Sequence, residues 1–186
     1  MEYSSYIDLQ KQKTCDPVRR KKWLNEEWDL KLNGFKKIFN NNSDFIGEKC
    51  LCIGARTGQE VQALIDIGKN AVGIDLVPHE PLVEEGDFHD LAYQDETFDF
   101  IFTNVFDHAL YPDKFCAEAF RVLKKGGHGL FHLQVDVPND EYGVHDVDDL
   151  NKDFLNFFTE KKVSKNTRVF YKEFSTFNRE IVLSKI

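Results

Sequence analysis

From Lys49 onward the sequence alternates short, nearly continuous apolar runs with segments of helical period, and that alternation restricts the fold more than any other feature. Strand-like runs cover residues 49–54, 70–75, 82–87, 98–105 and 129–135. Between them, 58–67 aligns Val61, Leu64 and Ile65, and 112–123 aligns Phe115, Ala119, Val122 and Leu123, each set on one helical face. Strands that are apolar on both faces must be covered on both, which points to a mainly parallel sheet between helical layers. A short acidic helix is expected near 147–154, then two more strands around 161–170 and 179–185 with a break at 174–178. The expected fold is therefore α/β, Rossmann-like and doubly wound, with a mostly parallel seven-stranded sheet.

Residues 1–47 read as a helical extension ahead of the α/β domain, 48–186. Asp16-Pro17 is a helix start, with Asp as N-cap and Pro at the first helical position. Leu24, Trp28, Leu32, Phe35 and Phe39 then recur at helical spacing, and Asn40-Asn41-Asn42-Ser43 ends the run.

A chain of 186 residues holds one well-cored domain. Its 41% hydrophobic and 30% charged residues, with 17 Phe, describe a globular protein. A formal net charge of −8 opposes general binding to nucleic acid or anionic membrane. The basic runs Arg19–Lys22 and Lys161, Lys162, Lys165, Arg168 read as solvated faces. No apolar run reaches membrane-spanning length and the polar N-terminus has no signal-peptide core, so a cytoplasmic location is expected. Cys50 and Cys52 share one face of a strand, no Cys/His cluster completes a metal set, and Cys15 and Cys116 stand apart. Reduced thiols and no metal are the expectation.

An open parallel sheet binds its ligand at the carboxyl ends of its strands. There the first strand delivers Gly54-Ala55-Arg56-Thr57-Gly58, opening a helix whose N-terminus offers free N–H groups. The second delivers Asp75 and Leu76; a carboxylate there, 17 residues past Gly58, suits both hydroxyls of a ribose. The third ends in Gly86-Asp87-Phe88-His89, the fourth in Asn104-Val105-Phe106-Asp107-His108. Each signal alone is also met in purely structural turns. Four in succession are harder to assemble by accident.

Together 50–58, 72–75, 85–91, 97–108 and 121–127 resemble the class I, type 11 S-adenosylmethionine-dependent methyltransferases. The similarity covers roughly 48–136. It implies a sheet with an antiparallel last strand. It also implies that Gly54, Ala55, Arg56, Thr57 and Gly58 hold the amino-acid end of S-adenosylmethionine, Asp75 and Leu76 the ribose side, and Asp87 with Phe88 the adenine. Asn104, Val105 and His108 would complete the pocket, with S-adenosylhomocysteine as product. The Gly-Ala-Arg-x-Gly-x-Glu loop further resembles a subgroup associated with glycan modification. Two positions depart from the pattern. Cys52 stands where the family has an acid, and Arg56 where it has its middle glycine. Arg56 can pair with the cofactor carboxylate or point to solvent; Glu60 can replace the missing acid or cap the helix dipole.

The expected activity is methyl transfer to a small molecule or glycan. The runner-up is a cofactor-binding or regulatory protein that keeps the fold without catalysis. A nicotinamide oxidoreductase fits poorly, because Arg56 and Gln59 occupy the later Gly places of its fingerprint. Asp107 and His108 are the candidates for general base, or else shape the pocket and start the next helix. His132 reads as a core residue, and His145 as either acceptor-lining or surface. The acceptor and the oligomeric state carry no sequence signature.

Overall fold

The computed structural model describes residues 1–138, 141–144, 146–147, 154, 156–164 and 177–186. Among these residues α1 (Tyr3–Cys15), α2 (Pro17–Lys21), α3 (Trp28–Asn41), α4 (Gln59–Asp66) and α5 (Pro112–Val122) accompany strands β1 (Lys49–Ile53), β2 (Asn70–Asp75), β3 (Val83–Glu85), β4 (Phe98–Thr103), β5 (Leu123–Leu133), β6 (Thr159–Ser164) and β7 (Arg179–Ser184). The strands form one sheet in the order β3-β2-β1-β4-β5-β7-β6. Pairing is parallel from β3 to β5, and β7 alone runs against its neighbours β5 and β6. Strand order reverses between β1 and β4, which is where such sheets hold ligands.

The period of two sorts the core. Cys50, Cys52, Phe100 and Phe102 point to one face, under α3 and α4; Leu51, Ile53 and Ile101 point to the other, under α5. On the first face the Phe39 ring meets Phe102 edge-on at 5.3 Å, and Phe35 meets it at 5.6 Å. Helix α3 is thus part of the layer that covers the sheet. Cys50, Cys52 and Cys116 are buried thiols outside any disulfide, and burial pushes the Cys50 thiol up to about 12. On β5 His132 is fully buried and lies 2.8 Å from Glu180, its cross-strand partner on β7.

The N-terminal segment is helical, but not as one run. Asp16 caps α2, its carboxylate accepting the Arg19 amide at 2.8 Å. A π-helical turn, Lys22–Glu26, then interrupts the period before α3. Its extra residue rotates the upstream helix about the axis, so Leu24 and Trp28 are only half-buried while Trp23, Phe35, Ile38 and Phe39 are buried. The single apolar row expected from Leu24 to Phe39 is therefore broken at this turn. Asn42 ends α3, donating its amide to the Ile38 carbonyl at 2.9 Å.

Two boundaries also differ from the sequence reading. β3 is three residues long, because Gly86 and Asp87 leave it for a tight turn closed by an Asp87–Asp90 bridge. β5 starts at Leu123 directly after α5, where a turn was expected up to Gly127. Gly126, at φ +77°, takes up the register shift between Phe98 and Phe100 of β4, and its amide still pairs with the Lys185 carbonyl at 2.8 Å. The helix expected at 147–154, His145, the C-terminal part of the strand expected at 161–170, Lys165, Arg168 and the start of the break at 174–178 lie outside the described residues, apart from Val147 and Phe154. Among the described residues no helix is long and apolar enough to cross a membrane.

Candidate active site

A cleft opens over the carboxyl ends of β1, β2 and β4. Gly54, Arg56, Asp75, Leu76, Phe88, Val105 and His108 line its floor and walls, and Tyr6, Gln10, Lys13 and Thr14 of α1 close it from above. The sequence reading named the first seven. It missed all four from α1.

The floor is built by the loop after β1. Gly54 adopts φ +74°, and a Cβ there would lie 2.3 Å from the Val105 side chain, so only glycine fits. Ala55 is buried. Thr57 is wholly buried and donates to Gln59, whose amide reaches the Trp23 carbonyl at 3.0 Å. Thr57 thereby ties the loop to the π-helical turn, and Gly58 (φ +87°) caps α4. Of the five loop residues, Gly54 and Arg56 face the cleft.

Asp75 joins this loop to β2. One carboxylate oxygen accepts the Arg56 amide at 3.0 Å, the other the Val77 amide at 3.2 Å. Burial raises its proton affinity, while these amides and the nearby Arg56 and Arg20 oppose the rise. Arg56 holds a left-handed backbone at φ +48°, and its guanidinium lies over the Trp23 ring at 5.3 Å. It neither points to bulk solvent nor lies in a salt bridge within the described residues. Glu60, in the first turn of α4, is buried close to Cys52, Arg56 and Lys31, and burial raises its carboxyl to about 7. Its carboxylate also accepts its own backbone amide, at the N-terminus of α4.

At the far wall Asp87 accepts the Tyr3 hydroxyl and, at 2.8 Å, the His89 amide. Phe88 packs on Phe115 at 5.0 Å and presents its other side to the cleft. Asn104 is half-buried at the end of β4. Asp107 is buried outside the cleft lining, accepting the Gln134 amide at 3.3 Å.

His108 also lines the cleft. Its Nδ1 lies 2.9 Å from the Tyr142 carbonyl, an acceptor only, so Nδ1 carries the proton. Nε2 is left with a lone pair, which faces Lys13 Nζ at 3.3 Å. Burial lowers the imidazole's proton affinity, Lys13 and Arg56 lower it further, and Asp107 opposes them. The ring is therefore neutral at pH 7, with its basic nitrogen on the cleft side.

Residues 51–131 match the family described as methyltransferase domain. No curated protein shows significant similarity to the chain. Solved structures do. A methyltransferase of Burkholderia thailandensis, crystallised with 1,6-didemethyltoxoflavin and S-adenosylhomocysteine, superposes with TM-score 0.73 at 13% identity, over 98% of this chain and 88% of that one. The PH0226 protein of Pyrococcus horikoshii gives 0.68 at 16%, over 88% and 93%. A SAM-dependent methyltransferase of Aquifex aeolicus gives 0.62 at 18%, over 100% of each. Residues 51–131 are thus similar to the methyltransferase domain, the fold is that of the S-adenosylmethionine-dependent methyltransferases, and S-adenosylmethionine is the cofactor those comparisons support.

The residues present fit that cofactor. Asp75 and Asp87 supply acceptors for hydroxyl and amino groups, Leu76 and Phe88 supply apolar walls, and the buried Tyr6 hydroxyl has no hydrogen-bond partner among the described residues.

Proposed function

We propose that this protein transfers the methyl group of S-adenosylmethionine to an oxygen or nitrogen of a small molecule or glycan, with His108 as the general base. The observation that carries this reading is the neutral His108 ring, whose Nε2 lone pair faces the cleft directly after β4. When bound, the cofactor supplies an activated methyl electrophile, so the protein has chiefly to hold the acceptor in line and exclude water. Asp75 and Leu76 hold the ribose side, Asp87 and Phe88 the adenine, and the Gly54–Gly58 loop the amino-acid end. Arg56 stands in for the missing middle glycine by meeting the cofactor carboxylate, aided by the N-terminus of α4. His108 Nε2 takes the acceptor's proton, Lys13 yielding that lone pair as the acceptor enters. Asp107 favours the imidazolium that results. The Burkholderia neighbour, which was crystallised with a small heteroaromatic molecule, supports a small acceptor. Buried Cys50, Cys52 and Cys116, kept as thiols, suit a reducing cytoplasm.

The test is a screen of hydroxylated and amino-bearing small molecules and oligosaccharides with methyl-labelled cofactor. Transfer should fall by about 10²- to 10⁴-fold in His108→Gln, with S-adenosylhomocysteine binding retained. Cofactor binding without transfer to any acceptor would favour a non-catalytic role.

A further inference from the structure

Helix α1 has little apolar periodicity, yet it sends Tyr6, Gln10, Lys13 and Thr14 from one face into the cleft. Tyr6 is the most enclosed of these, 1% exposed, with its ring edge-on to His89 at 5.5 Å. Its hydroxyl lies beside the Leu110 amide and has no hydrogen-bond partner among the described residues. A buried hydroxyl without a partner is costly, so its retention points to a partner that arrives from outside. Burial and the nearby Asp87 and Asp75 keep the phenol protonated, hence a donor in search of an acceptor. The two carboxylates are already engaged, Asp75 with the Arg56 and Val77 amides, Asp87 with Tyr3 and His89. They are also the acids assigned to the two ends of an adenosine.

We propose that Tyr6 is a further cofactor-binding residue, donating its hydroxyl to the nucleoside of S-adenosylmethionine between Asp75 and Asp87, while the Tyr3–Asp87 bond holds α1 in place above it. This inference rests on the cofactor reading given above. Tyr3 also stacks on Tyr111 at 5.7 Å, and Gln10 donates to the Tyr142 carbonyl at 2.7 Å, so α1 is fastened on both sides of Tyr6.

Calorimetric titration of the full chain with S-adenosylhomocysteine and with 5′-methylthioadenosine, which keeps the nucleoside and lacks the amino-acid end, tests it. Tyr6→Phe should bind both ligands about five- to twentyfold more weakly, the scale of one hydrogen bond. The unliganded variant should melt no lower than wild type, because phenylalanine removes an unpaired buried hydroxyl. Arg56→Gly should weaken S-adenosylhomocysteine alone, separating the two ends of the site. Unchanged affinity of Tyr6→Phe for both ligands overturns the assignment. Should the variant melt lower, Tyr6→Trp, which offers an indole N–H donor in place of the hydroxyl, should bind both ligands better than Tyr6→Phe; no difference between them also overturns it. Wild-type protein that binds neither ligand removes the cofactor reading itself, and this inference with it.

Discussion

The carboxylate of Asp75 accepts the backbone amide of Arg56 at 3.0 Å, so the end of β2 and the loop after β1 form one unit. In the function proposed above, Asp75 is then both a ligand for the cofactor and a fastener of the loop that holds its other end. Asp75→Ala should weaken S-adenosylhomocysteine binding by about 1.5–3 kcal/mol, the scale of a charge-assisted hydrogen bond. Asp75→Asn keeps an oxygen for one of the two amides and should lose less. Calorimetry on both variants checks the order, and equal affinities for wild type and Asp75→Ala would remove Asp75 from the site.

Gly54 is constrained twice, by its left-handed backbone and by Val105. Gly54→Ala should cost about 2–4 kcal/mol in stability, combining backbone strain with an overpacked contact. Val105→Ala in the same chain relieves only the contact. The double variant should therefore recover part of the loss in urea denaturation while staying below wild type. Full recovery would mean that the backbone is unstrained.

How much of this was legible beforehand follows from what each element depends on. The alternation of Cys50, Leu51, Cys52 and Ile53 encodes a strand covered on both faces, because period two needs no tertiary knowledge. The floor of the cleft was legible for a related reason, since a loop that must turn left-handed beside Val105 declares itself through glycine. The π-helical turn had no such marker. Lys22–Glu26 contains neither Gly nor Pro, and its effect appears only as a rotation of Trp23 against Leu24. The roof was hidden for the opposite reason. Tyr6, Gln10 and Lys13 do recur at i, i+4 and i+7, but apolar periodicity cannot register a polar face turned inward.

Glu60 makes stability depend on pH in an unusual direction. Its carboxyl is raised to about 7 in the folded chain by burial, against an ordinary value of 4.5. The folded state therefore holds an extra proton between these values, and stability falls as pH rises through that window. At about 1.4 kcal/mol per pH unit the full penalty is on the order of 3 kcal/mol, reached above about pH 7 and absent below about pH 4.5. Glu60→Gln mimics the neutral acid. Urea denaturation at pH 5 and pH 8 should show wild type losing more stability than the variant between the two. Parallel losses would mean that Glu60 is ionised throughout.

The last prediction concerns the groups that face His108 from each side. Asp107 precedes it in its own turn, Lys13 reaches it from α1, Arg56 stands across the cleft, and the Tyr142 carbonyl takes its Nδ1 proton. Burial comes first in lowering its proton affinity, and the two cations add to that. As a general base it must be neutral, so kcat/KM should rise with pH along an acidic limb that reports this imidazole in the free enzyme. Removing a cation makes protonation easier. Lys13→Met should therefore move the limb to higher pH and cost most activity under acidic conditions. Removing the opposing carboxylate does the reverse, so Asp107→Asn should move the limb to lower pH while weakening the support for the imidazolium formed in the reaction. A pH–rate profile of the three proteins, paired with ¹³C NMR titration of the imidazole, reads both displacements. If neither variant moves the limb, the base is a group other than His108. If the limb moves without the imidazole signal, Lys13 and Asp107 act on the acceptor instead.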